Sequence, residues 1–270
     1  MPGAEEIARL VVNTCDAVVV PRFRRLAADE VAEKAPGDLV TVADRLAEEV
    51  LTDALARWFP DATIIGEEAV AADPSLLGRI DEGHVWLVDP VDGTGNFVAG
   101  DPEFGTLLTE LVDGTPVRSW TWRAGVRQML SAERGAGVRV DGALLHPPRP
   151  ERNLLVGGVT GEYAHLRGPG LADPRPMTGS CTGDYPAIAL GQRDYLIHNG
   201  RHPWDHWPGV LMLEELGGVV RFLDGTPYAT ASTSPGKLLA ARSPQVWEVV
   251  AAAARGLTPA APGRGTTTPR

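Results

Sequence analysis

Two aspartates, Asp89 and Asp92, directly follow an apolar run and could bind a metal ion together. The run from His84 to Val88 predicts a buried strand, and Pro90 predicts a turn there because proline cannot donate to a strand ladder. Two carboxylates held close together repel each other, and one stays protonated unless a cation neutralises them. Oxygen ligands suit Mg²⁺, so the segment predicts a hard divalent cation site. An ordinary aspartate-rich turn is the alternative interpretation of this segment alone.

The residues on either side of this pair could also take part in phosphate chemistry. Gly93 and Thr94 predict the start of a helical turn, whose free N–H groups can bind a phosphate. Glu67 and Glu68 follow a short β-branched run at residues 62–66, which predicts a strand that ends in two carboxylates. These features add acidic side chains and a possible phosphate cradle to the predicted cation site.

A late aspartate, Asp205, stands just before an apolar helical run at residues 210–216. Pro208 is tolerated in the first turn of a helix, so Asp205 is predicted to lie at or near the helix start. Its charge would there meet the positive end of the helix dipole. Taken alone, Asp205 is better explained as a simple N-cap than as a ligand.

In their order along the chain, these segments resemble the inositol monophosphatase family of Mg²⁺-dependent, lithium-sensitive phosphatases. The blocks that carry the resemblance are Asp38 to Thr41 with Asp44, Gly66-Glu67-Glu68, Asp89 to Phe97, Gly179-Ser180, Gly191 to Asp194, and Trp204-Asp205 with Glu215 to Gly218. Any one block is weakly specific, whereas the ordered set is strongly specific. The resemblance implies an α/β fold, the α-β-α-β-α sandwich of inositol monophosphatases and fructose-1,6-bisphosphatases, and a phosphoric monoester hydrolase activity.

The resemblance also implies a ligand set for two or three Mg²⁺ ions. Glu67 and Asp89 would hold the first ion, together with the backbone carbonyl of Val91. Asp89, Asp92 and Asp205 would hold a second, and Glu67 would help to hold a weaker third. Such ions polarise phosphoryl oxygens and lower the pKa of a bound water. The residues by themselves point the same way, because carboxylates that converge from three segments repel each other without cations.

Asp44 and Thr94 are the water-activating pair that the resemblance implies, with the carboxylate accepting from the threonine hydroxyl and the hydroxyl orienting the water. Asp44 also stands at the start of a predicted helix, where a cap or first-turn acid is the alternative. The backbone N–H groups of Gly93 and Thr94 are expected to cradle the phosphate. Glu68 is expected to be a supporting carboxylate and not a ligand.

The expected substrate side departs from the family pattern. His198 stands where inositol monophosphatases carry a glutamate that binds ring hydroxyls, and an imidazole cannot accept two hydrogen bonds from a vicinal diol. Cys181 replaces a usual alanine, Trp207-Pro208 replaces a small pair, and Gly95 replaces a threonine or serine. His198 and Cys181 are therefore candidate substrate contacts within or near a specificity segment at residues 198–202. A structural histidine at a strand end is the alternative for His198.

Length, composition and charge narrow the function further. The chain has 270 residues, 43% hydrophobic and 22% charged, which is typical of a globular protein with a substantial core. A net charge of −10 argues against a nucleic-acid partner but not against a small phosphate ester next to bound cations. Two cysteines, Cys15 and Cys181, are too few for a disulfide framework, and Cys15 is expected in the core. With no membrane-spanning run or signal sequence, the expectation is a cytoplasmic protein without a membrane partner. The resemblance implies a homodimer.

Hydrophobic periodicity predicts the elements that position these residues. Helices are predicted over residues 7–18, 46–58, 184–191, 205–216 and 244–255, and strands over residues 38–42, 62–66, 84–88, 104–112, 116–123, 127–133, 153–159, 194–198, 218–223 and 238–242. Asp-Gly pairs at residues 113–114 and 141–142 predict turns. The proline-rich residues 147–150 predict a seam between an N-terminal half, residues 1–148, and a C-terminal half, residues 149–257. Residues 258–270 are rich in Pro, Gly and Thr and predict a disordered tail.

Three functional hypotheses follow from the sequence. The first is a Mg²⁺-dependent phosphomonoesterase acting on a small phosphorylated polyol, cyclitol or sugar. The second is the same chemistry on another leaving group, such as histidinol phosphate or a 3′-phosphoadenosine nucleotide. The third is a catalytically inactive relative that binds a phosphate ligand, which the presence of every implied ligand and of the Asp44–Thr94 pair argues against.

Overall fold

The computed structural model describes residues 2–147, 151–200, 202–229 and 236–257, which form a seven-stranded sheet, a five-stranded sheet and a two-stranded ribbon. The α-helices are α1 (Ala4–Thr14), α2 (Val42–Trp58), α3 (Glu67–Ala72), α4 (Thr94–Ala99), α5 (Cys181–Ala189), α6 (Pro203–Glu215) and α7 (Pro244–Arg255). The strands are β1 (Val31–Ala35), β2 (Asp38–Thr41), β3 (Thr63–Gly66), β4 (His84–Asp92), β5 (Gly105–Val112), β6 (Thr115–Arg123), β7 (Gln128–Glu133), β8 (Gly137–Val140), β9 (Ala143–Leu144), β10 (Gly157–Val159), β11 (Arg175–Pro176), β12 (Tyr195–Asn199), β13 (Val219–Phe222) and β14 (Lys237–Ala241). A π-helical turn, Cys15–Val19, continues α1.

The seven-stranded sheet runs in the order β3-β4-β5-β6-β7-β8-β9 and separates two helical layers. On one face, Ile7 of α1 and Leu51 of α2 share a buried cluster with Trp86 of β4. On the opposite face, the next residue of β4, Leu87, belongs to another cluster together with Trp207 of α6. Because side chains alternate across a strand, this sheet is buried on both faces.

The five-stranded sheet, in the order β11-β10-β12-β14-β13, lies on the far side of α5 and α6. Leu238 of β14 faces α6, in the cluster that also contains Leu87 of the first sheet. Leu239, one residue on, packs with Trp247 and Val250 of α7 on the other face. The layers therefore follow the order α-β-α-β-α, which confirms the predicted sandwich.

The predicted turn at Pro90 is wrong, because β4 continues through the proline to Asp92. Asp89 pairs with Leu107 of β5, and Asp92 pairs with Gly105. Between these two pairs, β4 advances by three residues whereas β5 advances by two. This register shift is a β-bulge, which leaves one residue of the bulged strand outside the ladder. Pro90 lies inside the bulge, where its missing N–H costs no ladder bond.

Most other predicted elements are present with shifted ends. Helix α6 begins at Pro203, so Pro208 lies inside the helix and not in its first turn, whereas Asp205 does occupy that turn. Both predicted Asp-Gly turns are present, with Asp113, Gly114, Asp141 and Gly142 at positive φ. The strand predicted over residues 153–159 is reduced to Gly157–Val159, and β1, β8, β9 and β11 were not predicted. Residues 148–150 of the predicted seam and the predicted disordered tail, residues 258–270, lie outside the described residues.

Candidate metal centre and active site

Three acidic side chains from two separate elements meet at one end of the central layers. Asp89 and Asp92 come from the bulged end of β4, and Asp205 comes from the first turn of α6. One carboxylate oxygen from each lies within 4.8 Å of the other two. Glu67, the first residue of α3, lines the same cavity of about 520 Å³. The structure thus brings together the four carboxylates that the sequence singled out.

The bulge in β4 explains why Asp89 and Asp92 can face the same space. Residues three apart on a regular strand point to opposite faces of the sheet. Their partners on β5, Leu107 and Gly105, are two residues apart, which is the spacing of one face. The extra residue that the bulge inserts therefore turns both carboxylates toward the cavity.

The electrostatics of the cluster fit a hard cation. Asp89 is 1% exposed, and its Oδ1 is buried with no hydrogen-bond partner among the described residues. Burial, followed by repulsion from Glu67 and Asp92, raises the pKa of Asp89 well above its usual range. Burial likewise raises the pKa of Asp205 well above its usual range, with repulsion from Asp92 adding to the shift. An unpartnered buried oxygen among mutually repelling carboxylates fits a divalent ion with oxygen ligands.

Lys34 on β1 is a cation at this site that sequence reasoning missed. Its Nζ donates to Glu67 at 2.6 Å and to Glu68 at 2.9 Å. Burial lowers the pKa of Lys34, but the charges and hydrogen bonds of Glu67 and Glu68 together outweigh burial and raise that pKa. Burial raises the pKa of Glu67 from 4.5 to about 7, although Lys34 opposes the shift. A lysine in a short exposed strand carries no sequence signal that distinguishes it from a surface residue.

Glu48 of α2 is a second residue that sequence reasoning missed. Its two carboxylate oxygens accept from the backbone N–H groups of Glu68 at 2.9 Å and Ala69 at 2.8 Å. Those groups belong to the first turn of α3, where N–H groups have no partner within the helix. A Cβ on Gly66 would lie 2.2 Å from the Glu48 carboxyl carbon, so a glycine is needed there. Glu48 thereby fixes the start of the helix that presents Glu67.

Asp92 connects β4 to the helix between the sheets. Its Oδ2 accepts from the Ser180 hydroxyl and from the N–H of Thr182 at 2.6 Å, and its Oδ1 accepts from the N–H of Cys181 at 3.1 Å. The carboxylate therefore satisfies the first N–H groups of α5 and meets the positive end of that helix. Burial raises the pKa of Asp92, and these hydrogen bonds oppose the increase.

Asp44 and Thr94 lie side by side, with Thr94 lining the larger cavity and Asp44 buried. The Thr94 hydroxyl is 3.0 Å from Asp44 Oδ1 and 2.9 Å from the carbonyl oxygen of Val91, and it can donate to one at a time. Asp44 Oδ2 accepts from the backbone N–H of Thr41 at 2.9 Å, which closes a capping box at the start of α2. Asp44 thus caps a helix and also contacts Thr94, and its role in activating water stays a prediction. Burial raises its pKa.

Gly93, which is expected to help bind the phosphate, has a left-handed conformation with a φ of 81°. A Cβ at this position would lie 2.9 Å from the carbonyl oxygen of Glu103 and 2.9 Å from Ser180 Cβ. The position therefore requires glycine for its backbone and for space. Helix α4 begins at the next residue, Thr94, as the sequence predicted.

The two residues proposed for substrate contact lie in a neighbouring cavity of about 210 Å³, which Asp92 and Asp205 also line. Cys181 begins α5, and His198 lies on β12; both are buried. Burial lowers the pKa of His198 well below its usual range. Cys15 is buried in the core as predicted, and burial raises the pKa of its thiol to about 12.

The comparisons with known proteins agree with this geometry. A sequence model of the inositol monophosphatase family matches residues 5–259. The chain belongs to the inositol monophosphatase family. It is 32% identical over 237 residues to the inositol-1-monophosphatase ImpA of Mycolicibacterium smegmatis, covering 81% of this chain and 82% of that protein. Family membership makes it a phosphoric monoester hydrolase.

Two further similarities come from a plant protein and a solved structure. The chain is 27% identical to the chloroplastic phosphatase IMPL1 of Arabidopsis thaliana over 85% of its own length, and it spans 65% of that protein. The crystal structure of the extragenic suppressor protein suhB from Bartonella henselae superposes with a TM-score of 0.76 at 23% identity, covering 93% of this chain and all of that one. That structure supports the fold. In the described part of the chain, no helix is both long and apolar enough to cross a membrane.

Proposed function

We propose that this member of the inositol monophosphatase family is a Mg²⁺-dependent phosphomonoesterase that hydrolyses a small phosphorylated polyol, cyclitol or sugar. The observation that supports the proposal best is the convergence of Asp89, Asp92 and Asp205 within 4.8 Å of one another. Asp89 Oδ1, buried and without a partner among the described residues, needs a positive ligand.

Glu67, Asp89, the carbonyl of Val91, Asp92 and Asp205 are the groups proposed to hold two to three Mg²⁺ ions. Bound Mg²⁺ supplies positive charge to the phosphoryl oxygens and lowers the pKa of water that it contacts. Glu67 lies 2.6 Å from the Lys34 ammonium, so a cation at Glu67 competes with that lysine for the carboxylate. Lys34 thereby holds the first ligand in place in the metal-free protein.

The residues Asp44, Thr94 and Gly93 are proposed to act on the reactants. The Thr94 hydroxyl orients the attacking water, and Asp44, 3.0 Å away, accepts a proton through it. The raised pKa of the buried Asp44 brings its proton affinity closer to the working pH. The backbone N–H groups of Gly93 and Thr94 are proposed to bind the phosphate, whose charge they stabilise as it develops.

The substrate class is proposed from the volume and lining of the two cavities. The larger cavity has a volume of about 520 Å³ and the smaller one about 210 Å³, and these volumes suit a small phosphorylated molecule. His198 lines the smaller cavity. The resemblance in sequence aligns it with the family's diol-binding glutamate. A buried neutral imidazole offers one acceptor, so a substrate with a different pattern of hydroxyls, or a histidinol phosphate or 3′-phosphoadenosine nucleotide, remains the alternative.

The test is phosphate release from a panel of phosphomonoesters, measured in EDTA and after adding Mg²⁺. Sugar phosphates, inositol 1-phosphate, histidinol phosphate and a 3′-phosphoadenosine nucleotide cover the proposed and alternative substrates. We expect turnover that requires Mg²⁺ and is highest with one of the polyol, cyclitol or sugar esters. Turnover that persists without metal would refute the mechanism. Binding without any turnover across the panel would favour the inactive relative. A homodimer and a cytoplasmic location stay predictions, and light scattering would test the dimer.

A further inference from the structure

A second group of side chains of the kinds that bind metal ions lies beside the acidic cluster, and the proposed Mg²⁺-dependent hydrolysis does not use it as a ligand set. One ligand atom from each of Cys181, His198 and His206 lies within 4.8 Å of the other two, and all three side chains are buried. They come from three different elements: the start of α5, strand β12 and the first half of α6. Because the three side chains come from separate elements, tertiary packing and not a local turn brings them together; we call this group of Cys181, His198 and His206 the cage.

His198 has an open coordination position. Its Nε2 is buried and has no hydrogen-bond partner among the described residues, and the side chain as a whole is 7% exposed. The ring of Tyr185 stacks on the imidazole with centroids 5.3 Å apart and planes 6° apart, which fixes the orientation of the histidine. Leaving a buried imidazole nitrogen unpaired costs free energy that a ligand would recover.

His206 is oriented as metal-binding histidines usually are. Its Nε2 lies 2.9 Å from the backbone carbonyl of Asn199, so Nε2 carries the proton and donates it. Its Nδ1 then bears the lone pair, which the Tyr185 hydroxyl satisfies at 3.0 Å. A carbonyl on the remote nitrogen sets the tautomer and direction of a ligating imidazole.

We propose that Cys181, His198 and His206 form a second metal site, selective for Zn²⁺ or a similarly soft divalent ion. One thiolate and two imidazoles are nitrogen and sulfur ligands, which suit Zn²⁺ and not Mg²⁺. Binding replaces the thiol proton of Cys181, which leaves to solvent, and takes over the Nδ1 lone pair of His206 from Tyr185. Three protein ligands leave a fourth position for water or a substrate oxygen.

The position of the site gives it a consequence for the phosphatase. Cys181 and His198 line the same cavity as Asp92 and Asp205, so an ion held by the cage occupies the space beside the acidic cluster. Zn²⁺ at the cage is therefore expected to change substrate binding. The two sites differ in ligand type, so Mg²⁺ in excess should fill the acidic site and leave the cage free.

The test uses Co²⁺ as a spectroscopic probe of the full-length protein in excess Mg²⁺. A thiolate bound to Co²⁺ absorbs in the near ultraviolet, and a tetrahedral site gives strong visible bands. We expect both signals in the wild type, with displacement by Zn²⁺. Cys181→Ala should abolish the thiolate band, and His198→Gln should weaken Co²⁺ binding by at least about tenfold. Cys15→Ala, which changes the other buried cysteine, is the matched control and should leave the spectrum unchanged.

Asp89→Asn is the control for Co²⁺ binding at the acidic cluster, and this variant should keep the cobalt spectrum of the wild type. A thiolate band that survives in Cys181→Ala, or that vanishes in Asp89→Asn, would overturn the proposal, as would the absence of any band in folded wild type. Near-ultraviolet circular dichroism checks folding of each variant. Because the readout is binding and not turnover, failure of the zinc site and failure of the phosphatase proposal are separate results.

Discussion

Replacing Asp89 with asparagine should stabilise the metal-free protein and abolish its activity at the same time. Asp89 is buried among other carboxylates, and Asp89→Asn removes one charge with little change in shape. In the proposed mechanism the same carboxylate contributes to more than one cation site. A residue placed only for packing would give neither the stabilisation nor the loss of the response to Mg²⁺.

The size of the stabilisation follows from the distances in the cluster. The oxygens of Asp89, Asp92 and Asp205 lie within 4.8 Å of one another. Two unit charges at that separation repel by about 3 kcal/mol at an effective dielectric constant of about 20. One kcal/mol corresponds to about 2–4 °C for a chain of this size, so the variant should melt about 6–12 °C above the wild type in EDTA.

The pH of the measurement decides whether this difference is seen. The pKa of Glu67 in the metal-free fold is raised from 4.5 to about 7. Between these values the native state holds a proton that the unfolded chain has released, so stability falls as pH rises through the window. The cost from Glu67 is complete above about pH 7, and the raised pKa of Asp89 adds a cost of the same sign, so the comparison belongs at about pH 8. At about pH 3 both proteins should melt at similar temperatures, because the buried carboxyl groups are then protonated in the folded state and mostly protonated in the unfolded chain.

Mg²⁺ should reverse the order of stability. At a thousandfold excess over its Kd, a ligand stabilises the wild type by about 4.1 kcal/mol, which exceeds the repulsion of about 3 kcal/mol, whereas Asp89→Asn should gain much less. Turnover of the variant should fall by about a thousandfold, equivalent to about 4 kcal/mol of lost transition-state stabilisation. Glu68→Gln is the matched control: Glu68 contacts Lys34 and is not a proposed ligand. It should keep the Mg²⁺ response and stay within about tenfold of wild-type turnover.

Melting curves and phosphate release for the wild type and both variants decide the question. Equal losses of turnover in folded Asp89→Asn and Glu68→Gln would show that the assignment across this cluster is wrong. An Asp89→Asn variant that melts below the wild type in EDTA at about pH 8 would contradict the electrostatic argument, even if its turnover were lost.

Further variants test the other roles in the site. Thr94→Val should lower kcat by about a hundredfold or more, because the variant lacks the hydroxyl that contacts Asp44 and orients the water. Its Mg²⁺ binding, measured by calorimetry, should be unchanged, and an unchanged kcat would remove Thr94 from the mechanism. Gly93→Ala should raise KM and lower Tm, since an added Cβ meets the Glu103 carbonyl at 2.9 Å, and wild-type values would mean that the loop adjusts. His198→Glu should shift kcat/KM toward inositol 1-phosphate by about ten- to a hundredfold, and an unchanged ratio would assign a structural role to this histidine.

The acidic residues could be predicted because their types and order carry the signal. Asp89, Asp92 and Asp205 lie next to apolar runs with a clear hydrophobic periodicity. Their positions at the ends of a strand and a helix could therefore be predicted from the sequence. Pro90 misled the prediction, because proline ends a regular ladder but is tolerated in a bulge. A bulge depends on the register of the neighbouring strand, and sequence periodicity does not specify that register.

Lys34, Glu48 and His206 could not be predicted because their roles arise from contacts between distant segments. Lys34 of β1 contacts Glu67 at the start of α3, and Glu48 of α2 contacts the N–H groups of α3 from about twenty residues away in the sequence. His206 follows Asp205 directly and looked like part of the helix start. Its role beside Cys181 emerges only when α5, α6 and β12 pack together.

The contacts of Asp92 couple the metal centre to the packing of the whole sandwich. One carboxylate belongs to the acidic cluster and also satisfies the first N–H groups of α5, including that of Cys181. Asp205, which completes the cluster, comes from α6 in the same central layer. The first sheet alone therefore lacks one ligand and leaves Asp92 without its backbone donors. The centre is complete only when α5 and α6 are packed against β4, so cation binding and assembly of the central layer stabilise each other.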